Sequence, residues 1–210
     1  MAVLNTSHPA LILGSTSRYR QELLSRLRLP FLCQAPEVDE SPLPGEAPAD
    51  LANRLALAKA EAVAQATQQP QPRDVIVIGS DQVADLNGLA IGKPGGHEQA
   101  LRQLQAMRGQ TVVFHTAVAV IRPATHFRQQ AMSSVRVTFR ADISDEELDH
   151  YLHLDQPYDC AGSAKVESLG ITLLERVDSD DPTALVGLPL IATSRLLRAA
   201  GLPLFSGISA

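Results

Sequence analysis

The stretch VIVIGSDQVADLNGLAIGKP, residues 75–94, holds a carboxylate and a lysine in an arrangement that suits acid–base chemistry. A run of β-forming residues leads into Ser-Asp-Gln at 80–82, and the Asn-Gly pair at 87–88 predicts a hairpin that returns the chain toward Lys93. Ligands of α/β proteins bind outside the carboxyl ends of strands. We therefore predict that Asp81 lies at a strand end, where it could bind a metal or take a proton from water. An exposed ion pair with Lys93, of little energetic value, is the alternative.

The segment LGSTSRYRQELL, residues 13–24, places small hydroxyl side chains between a predicted strand and a predicted helix. Free backbone N–H groups at a helix start favour an anion, and Arg18 and Arg20 add positive charge there. The segment contains no Walker motif. It is consistent with a phosphate site, or with a helix that Ser17 caps while the arginines face solvent.

Lys59 lies in the clearest helical segment of the chain, residues 49–66, which is rich in alanine and leucine. At about 100° per residue, Lys59 falls roughly 80° from Leu51, which begins the apolar stripe of this helix. Lys59 therefore flanks the buried face, where its side chain could reach into a cleft. The alternative is a lysine that extends over apolar surface while its ammonium stays in water.

Neither the cysteines nor the histidines show the spacing of a metal motif. Cys33 and Cys160 are far apart and outside any C-x-x-C pattern, which favours two reduced, partly buried thiols. His150 and His153 have the i, i+3 spacing of one helix face, but no third ligand of a usual metal motif accompanies them. The sequence therefore does not predict a zinc site.

The composition is that of a globular protein of 210 residues, with 45% hydrophobic residues and a formal charge of −5. The negative charge argues against a nucleic-acid polymer as the main partner, although local cationic clusters can still bind a small anion. No signal peptide or membrane-spanning segment is recognisable. We therefore expect a soluble, cytoplasmic protein without a membrane partner.

Predicted helices and strands alternate along the chain. The predicted helices span residues 17–29, 49–66, 96–109, 145–154 and 189–201. Apart from the hairpin of residues 75–94, the predicted strands span residues 10–14, 30–36, 110–122, 131–143 and 170–178. Ser144 and Glu147 have the spacing of a capping box. We expect a single domain over residues 1–210, an α/β or α+β unit with a long mixed sheet, an ordered core at 10–204 and a disordered tail at 205–210.

Eight segments, in order over roughly residues 11–204, resemble the Maf family of nucleotide pyrophosphatases. They are ILGSTSRYRQELL, APEVDE, LALAKAEAVA, VIGSDQV, IGKP, YDCAGSAKVES, GITLLER and LVGLPL. The resemblance implies a two-lobed mixed α/β fold around a long curved sheet flanked by helices, with the active site in the cleft between the lobes. It also implies a cytoplasmic homodimer that needs a divalent metal cation, Mg²⁺ or Mn²⁺.

The same resemblance implies a reaction. Asp81 would position or deprotonate a water that attacks the α-phosphorus of a nucleoside triphosphate, which releases pyrophosphate. Glu40 matches an acidic residue of the family and is expected to share the metal with Asp81. Because Mg²⁺ prefers oxygen ligands and retains waters, a few carboxylates and the substrate phosphates would suffice to hold it.

Positive and hydroxyl side chains complete the implied site. Lys93, Lys59 and Arg20 are expected to neutralise the triphosphate and the charge on the leaving pyrophosphate. Ser15 and Ser17, with the amides at the helix start, are expected to bind phosphate oxygens.

The variable positions resemble the family branch that acts on 7-methyl-GTP. That branch has an aromatic residue where Tyr19 stands, Ser-Asp-Gln at 80–82 and the CAGS.K.E pattern of residues 160–167. N7-methylguanine is cationic near neutral pH, so Tyr19 could stack on it with a cation–π contribution on the order of 1–2 kcal/mol. Glu167 could accept hydrogen bonds from the base, and Gln82 could contact the base or the sugar.

Two alternatives remain open at the level of sequence. Arg18 stands where the branch is expected to have proline, and the branch acting on dTTP and UTP has Arg-Arg in the first motif and Ser-Asp-Thr in the middle one. The same reaction on dTTP, UTP or another modified nucleotide is therefore one alternative. The other is a division regulator that binds nucleotide without turnover, which the presence of Asp81, Lys93 and Lys59 disfavours.

Overall fold

The computed structural model describes residues 9–67 and 74–205 and shows a mixed seven-stranded sheet flanked by five α-helices. The strand order is β2-β1-β3-β5-β6-β7, and β4 pairs with β3. The strands are β1 (Ala10–Gly14), β2 (Phe31–Cys33), β3 (Val75–Leu86), β4 (Leu89–Ile91), β5 (Thr111–Arg122), β6 (Phe127–Phe139) and β7 (Leu174–Asp178). The predicted mixed α/β class is confirmed.

The helices lie close to their predicted positions. They are α1 (Arg18–Ser25), α2 (Pro48–Ala66), α3 (His97–Met107), α4 (Asp145–Asp155) and α5 (Leu190–Ala199). The predicted capping box is present at the start of α4, where Ser144 and Glu147 each bond the other's backbone N–H. The predicted hairpin joins β3 to β4 through Asn87 and Gly88. No helix in the described ranges is both long and apolar enough to cross a membrane.

Three predictions of strand boundaries are wrong. The strand predicted at 131–143 spans Phe127–Phe139, because it pairs with β5 from the turn at residues 123–126 onward. The predicted strand at 170–178 begins with a 3-10 helix, Leu169–Leu173, because Gly170 packs tightly against the backbone of Lys165. Asp81 does not end a strand either, since β3 continues to Leu86. Residues 1–8 and 206–210, which bear on the predicted absence of a leader and on the predicted tail, lie outside the described residues.

Side chains of β3 alternate between the two faces of the sheet. On one face, Ile76 and Ile78 pack in a buried cluster with α1 and α5 residues, and Ala84 packs in a second cluster with α3 and α4 residues. Ser80 and Gln82 share that face by alternation and lie between the two clusters. A band of polar side chains therefore separates two lobes, as the resemblance implies, while α2 covers the other face.

Gly79 sets the distance between β3 and α2. A Cβ at this position would lie 2.2 Å from Ala56 O and 2.5 Å from Ala60 N, both of which belong to the backbone of α2. The helix can therefore approach the sheet closely only with glycine here, and this approach brings Lys59 beside the neighbouring Asp81.

We predict that Gly79→Ala lowers the free energy of unfolding by about 1–3 kcal/mol or more, because backbone atoms cannot move aside as a flexible side chain can. Chemical denaturation measures the change. Gly92→Ala is the control, because a Cβ at Gly92 has nothing within 4 Å. Equal stability of the two variants would contradict the proposed close packing.

Candidate active site

One edge of β3 lacks a strand partner where it carries the candidate catalytic groups. β1 pairs in parallel with β3 as far as Gly79, and β4 pairs with it from Ala84 onward. Between these ladders, no strand in the described part of the chain pairs with this edge at residues 80–83. The other edge pairs continuously with β5. A cleft is therefore framed by rigid strands where β1 ends, which is where ligands bind in α/β proteins.

Asp81 lies at this gap and contacts a buried lysine of α2. Lys59 Nζ donates to Asp81 Oδ1 at 2.6 Å and lies 2.7 Å from Glu40 Oε1. Lys59 is 5% exposed and Asp81 is 7% exposed. Because an unpaired buried ammonium costs several kcal/mol, the two carboxylates are what allow Lys59 to lie here instead of extending into water.

Glu40 belongs to the segment between β2 and α2 and is the more exposed carboxylate of the pair. Desolvation raises the pKa of Glu40, but the hydrogen bond and charge of Lys59, together with the charges of Lys93 and Arg20, outweigh it and lower the pKa below its usual value. Glu40 therefore stays ionised at pH values at which a free glutamate takes up a proton.

Arg20 approaches the same carboxylates from α1. Arg20 Nε donates to Gly187 O at 2.8 Å, and Ser80 Oγ lies 3.1 Å from the same oxygen and 2.8 Å from Ala117 O. Burial lowers the pKa of Arg20, which the charges of Asp81 and Glu40 oppose. An arginine stays protonated in proteins, so the Arg20 guanidinium gives this cleft a fixed positive charge.

The turn between β1 and α1 presents hydroxyl and amide groups to the cleft. Ser15 is buried, and its Oγ accepts a hydrogen bond from Ser17 N at 3.1 Å. Ser17 occupies the position before the first helical residue, but its side chain makes no capping hydrogen bond. The capping alternative for Ser17 is therefore not what the structure shows, and the amides at the start of α1 have no side-chain acceptor from this residue.

Two adjoining cavities occupy the cleft. The first, of about 450 Å³, is lined by residues that include Ser15, Ser17, Arg20, Glu40, Lys59, Asp81 and Lys93. The second, of about 380 Å³, is lined by residues that include Arg18, Tyr19, Phe114, Asp159, Cys160 and Glu167. Arg20, Gln82 and Lys93 line both and mark their boundary. A larger groove beside α4, of about 690 Å³, contains none of the predicted site residues.

The second cavity combines an aromatic ring with carboxylates. Burial raises the pKa of Tyr19 to about 12, against the opposing effect of its hydrogen bond with Arg18, so the phenol is neutral at physiological pH. The Arg18 guanidinium lies 4.7 Å from the centre of the Tyr19 ring. A base stacking on Tyr19 must therefore displace Arg18 or use the other face of the ring.

The pKa of Cys160 reflects both its burial and the negative charge in this cavity. Burial raises the pKa of the Cys160 thiol to about 12, and the charges of Asp159 and Glu167 act in the same direction. Cys160 is half-buried and Cys33 is exposed, and both are free thiols. The predicted partial burial therefore holds for Cys160 and is wrong for Cys33.

Gln82 holds the floor of the cleft. Its Nε2 lies 2.9 Å from Thr116 Oγ1, 2.9 Å from Ala184 O and 3.0 Å from Leu185 O, so three acceptors surround the amide nitrogen. Gln82 therefore holds the turn at residues 184–187 in place through its side-chain amide nitrogen. Any contact with a ligand is left to its carbonyl oxygen.

The carboxylates fit a divalent cation such as Mg²⁺. Asp81 and Glu40 converge on one ammonium and line one cavity beside groups suited to phosphate. Mg²⁺ needs one or two carboxylates, because waters and substrate phosphates complete its octahedron. The described residues that line this cavity include no histidine or cysteine, and oxygen ligands alone suit this hard ion.

Sequence reasoning missed the turn at residues 184–187 and the carboxylate of Asp159. The turn supplies backbone oxygens to Arg20, Ser80 and Gln82, and Asp159 lines the second cavity. Residues 185–187 belong to the segment LVGLPL and Asp159 to YDCAGSAKVES, whereas Ala184 directly precedes LVGLPL. The resemblance identifies these two segments, but it does not indicate which of their positions face the cleft.

The fold and the site define a mixed α/β protein whose interlobe cleft sets cations suited to phosphate against a pair of carboxylates. Residues 10–200 match the family described as Maf-like protein, and the chain belongs to that family. The match covers the sheet, all five helices and every residue of both cavities.

Curated relatives match over nearly the whole chain. A 7-methyl-GTP pyrophosphatase of Polaromonas sp. (strain JS666) is 61% identical over 205 residues, which cover 98% of this chain and 90% of that protein. One of Burkholderia thailandensis is 59% identical over 200 residues, covering 95% and 92%. One of Albidiferax ferrireducens is 58% identical over 192 residues, covering 91% and 94%.

Because Lys59 contacts Asp81, we predict that Asp81→Asn changes the free energy of unfolding in opposite directions when Lys59 is present and when it is replaced. Asp81→Asn in the native chain removes a partner of a buried ammonium and should lower the free energy of unfolding. In a Lys59→Met background, the same change relieves repulsion between Asp81 and Glu40 and should raise it. Denaturant unfolding of the native chain, the two single variants and the double variant should give a coupling energy of about 1–3 kcal/mol. Additive effects of the two substitutions would contradict this pairing.

Proposed function

We propose that this protein hydrolyses 7-methyl-GTP to 7-methyl-GMP and pyrophosphate. The observation that carries the proposal is the pair of adjoining cavities, one with a carboxylate–lysine contact and phosphate-binding groups, the other with an aromatic ring and carboxylates. The identity to relatives named 7-methyl-GTP pyrophosphatase supports it. We place the triphosphate in the first cavity and the base in the second.

Phosphate binding falls to cations that no carboxylate fully neutralises. Arg20 and Lys93 line both cavities, and Lys93 has no carboxylate within ion-pair distance among the described residues. The hydroxyls of Ser15 and Ser17, with the amides at the start of α1, supply hydrogen-bond donors for phosphate oxygens. These groups stabilise the charge that develops on the leaving pyrophosphate.

Asp81 is the proposed catalytic residue. Its Oδ1 is held by Lys59, and its Oδ2 makes no hydrogen bond within the described residues, so Oδ2 can accept a proton from a water in the cavity. The water oxygen bonds to the α-phosphorus, and the bond from that phosphorus to the oxygen bridging it to the β-phosphorus breaks. The electron pair leaves with pyrophosphate, and the water proton passes to Asp81.

Asp81 and Glu40 are also the residues that would hold a divalent cation, Mg²⁺ or Mn²⁺. A bound cation would supply positive charge to the phosphates. Lys59 keeps both carboxylates in place, and the lowered pKa of Glu40 keeps this group charged as pH falls.

Base selectivity rests on the second cavity. The ring of Tyr19 offers a face to the cationic methylated base, and Glu167 is an exposed carboxylate that can accept from its Watson–Crick edge. Asp159 adds a second negative charge to the same cavity. Gln82 acts at the boundary, where its carbonyl oxygen can reach the base or the sugar.

We propose that the chain works as a single domain over residues 1–210, as a homodimer, in the cytoplasm, where it removes a modified nucleotide from the pool. The proposed partner is the nucleoside triphosphate substrate, and we propose that the protein binds neither a nucleic-acid polymer nor a membrane. The charge of −5 supports the exclusion of a polymer. Hydrolysis of dTTP, UTP or another modified nucleotide by the same residues is the alternative.

We predict that pyrophosphate is released faster from 7-methyl-GTP than from GTP, dTTP, UTP or CTP, with Mg²⁺ or Mn²⁺ present. Loss of a cation–π contact of about 1–2 kcal/mol corresponds to a 5–30-fold loss of preference. Tyr19→Ala and Glu167→Ala should therefore lower the ratio of kcat/KM for 7-methyl-GTP over GTP. Tyr19→Phe, which keeps the ring, is the control and should preserve the ratio. Unchanged ratios in both alanine variants would remove this account of base recognition.

We predict that Asp81→Asn lowers kcat by about 10²–10⁴-fold, the usual contribution of a general base, while nucleotide still binds. Steady-state kinetics gives the first quantity and isothermal titration calorimetry the second. A variant that retains turnover would exclude Asp81 as the base. A native protein that binds nucleotide and releases no pyrophosphate would instead support the regulator without turnover.

A further inference from the structure

Outside both cavities, two histidines and an aspartate converge between α3 and α4. His97 is the first residue of α3, while Asp149 and His153 are one turn apart on α4. His97 Nε2 lies 2.7 Å from Asp149 Oδ1, and His153 Nε2 lies 3.5 Å from Asp149 Oδ2. One potential ligand atom from each residue lies within 4.8 Å of the others. We propose that these three side chains form a zinc site, separate from the active site, that holds α3 against α4.

The distances suit a common ion. Zn²⁺ binds imidazole nitrogen and carboxylate oxygen at about 2.0–2.2 Å, and its ligands in a tetrahedron lie about 3.3 Å apart. The candidate ligand atoms lie within 4.8 Å of one another, so small side-chain rotations would bring them to that spacing. The side chains of the three residues are between 31% and 67% exposed, so an ion can enter from solvent and a water can complete the tetrahedron.

The second contact of His97 orients it for metal binding. His97 Nδ1 lies 3.1 Å from Tyr158 Oη, which lies 3.3 Å from Leu152 O. When the Tyr158 hydroxyl donates to Leu152, it accepts from His97 Nδ1–H, and the lone pair of Nε2 then points at the carboxylate of Asp149. At 2.7 Å this contact is a hydrogen bond when Nε2 carries a proton, and in the proposed site Zn²⁺ bound at Nε2 takes the place of that proton. Such outer hydrogen bonds are typical of metal-bound histidines.

The donor set favours a different metal from the one proposed for catalysis. Two imidazoles and one carboxylate suit Zn²⁺ and related transition metals, whereas Asp81 and Glu40 offer only oxygen and suit Mg²⁺. The earlier expectation of no zinc site considered His150 with His153. The fold instead pairs His153 with Asp149 and with His97, which is 56 positions away in the chain and unrecognisable by spacing.

The site is joined to the cleft by two short segments of chain. Lys93, which lines both cavities, precedes His97 by four residues, and Asp159 follows Tyr158 directly. The backbone of these segments is itself paired, since Gly95 N donates to Tyr158 O at 3.1 Å. An ion that fixes His97 against α4 would therefore also restrain the segments that carry Lys93 and Asp159.

Calorimetric titration of the untagged, chelator-treated full chain with ZnCl₂, without nucleotide, tests the proposal. We expect one Zn²⁺ bound per chain and a higher midpoint temperature of thermal unfolding when Zn²⁺ is bound. The His97→Gln and His153→Gln variants should bind Zn²⁺ at least tenfold more weakly. His150→Gln is the matched control on α4 and should bind as the native chain does. Co²⁺ in place of Zn²⁺ should give visible absorption of a low-coordinate site, which His153→Gln abolishes.

Two results would overturn the proposal. One is the absence of stoichiometric Zn²⁺ binding to the native chain. The other is binding that survives both His97→Gln and His153→Gln but is lost in Asp81→Asn, which would place the ion at the catalytic carboxylates. His153 is the most exposed of the three side chains, so His153→Gln keeps the test usable even if His97→Gln fails to fold.

Discussion

The site depends on the burial of a lysine ammonium. Lys59 is held in an apolar environment on α2, and desolvation of its charge must be offset by direct pairing. Asp81 from the sheet and Glu40 from the loop before α2 provide that pairing at 2.6 and 2.7 Å. Three separate parts of the chain are therefore fixed around one charge. The same contact orients the carboxylate of Asp81, which we propose as the general base. One interaction therefore both stabilises the cleft and positions the proposed base.

Strand pairing determines where this contact can form. β3 is long enough to pair with β1 along its first half and with β4 near its end, which leaves residues 80–83 uncovered on one edge. Gly79, the last residue paired with β1, lets α2 approach the sheet. On the other face, Ser80 and Gln82 bind the turn at residues 184–187 and separate the lobes. The strand β3 thus carries the proposed base, allows the close packing of α2 through Gly79, and holds the turn at residues 184–187 through Ser80 and Gln82.

Features encoded locally could be predicted from the sequence. The Asn-Gly turn and the capping box at Ser144 depend only on neighbouring residues, and both are present. Features that depend on distant partners could not. The prediction that Asp81 ends a strand was wrong because the sequence of β3 does not reveal where its pairing with β1 stops and its pairing with β4 begins. Burial of Lys59 depends on Glu40 and Asp81, and the histidine cluster depends on the packing of α3 against α4, neither of which leaves a pattern in residue spacing.

The proposed chemistry is attack by water on the α-phosphorus, directed by Asp81 at the gap in β3. Hydrolysis of 7-methyl-GTP in ¹⁸O-enriched water, followed by mass spectrometry of both products, tests this most directly. The account predicts that the label appears in 7-methyl-GMP and that pyrophosphate is unlabelled. Label in pyrophosphate, or release of orthophosphate in its place, would show attack at another phosphorus and would contradict the placement of the triphosphate against Asp81.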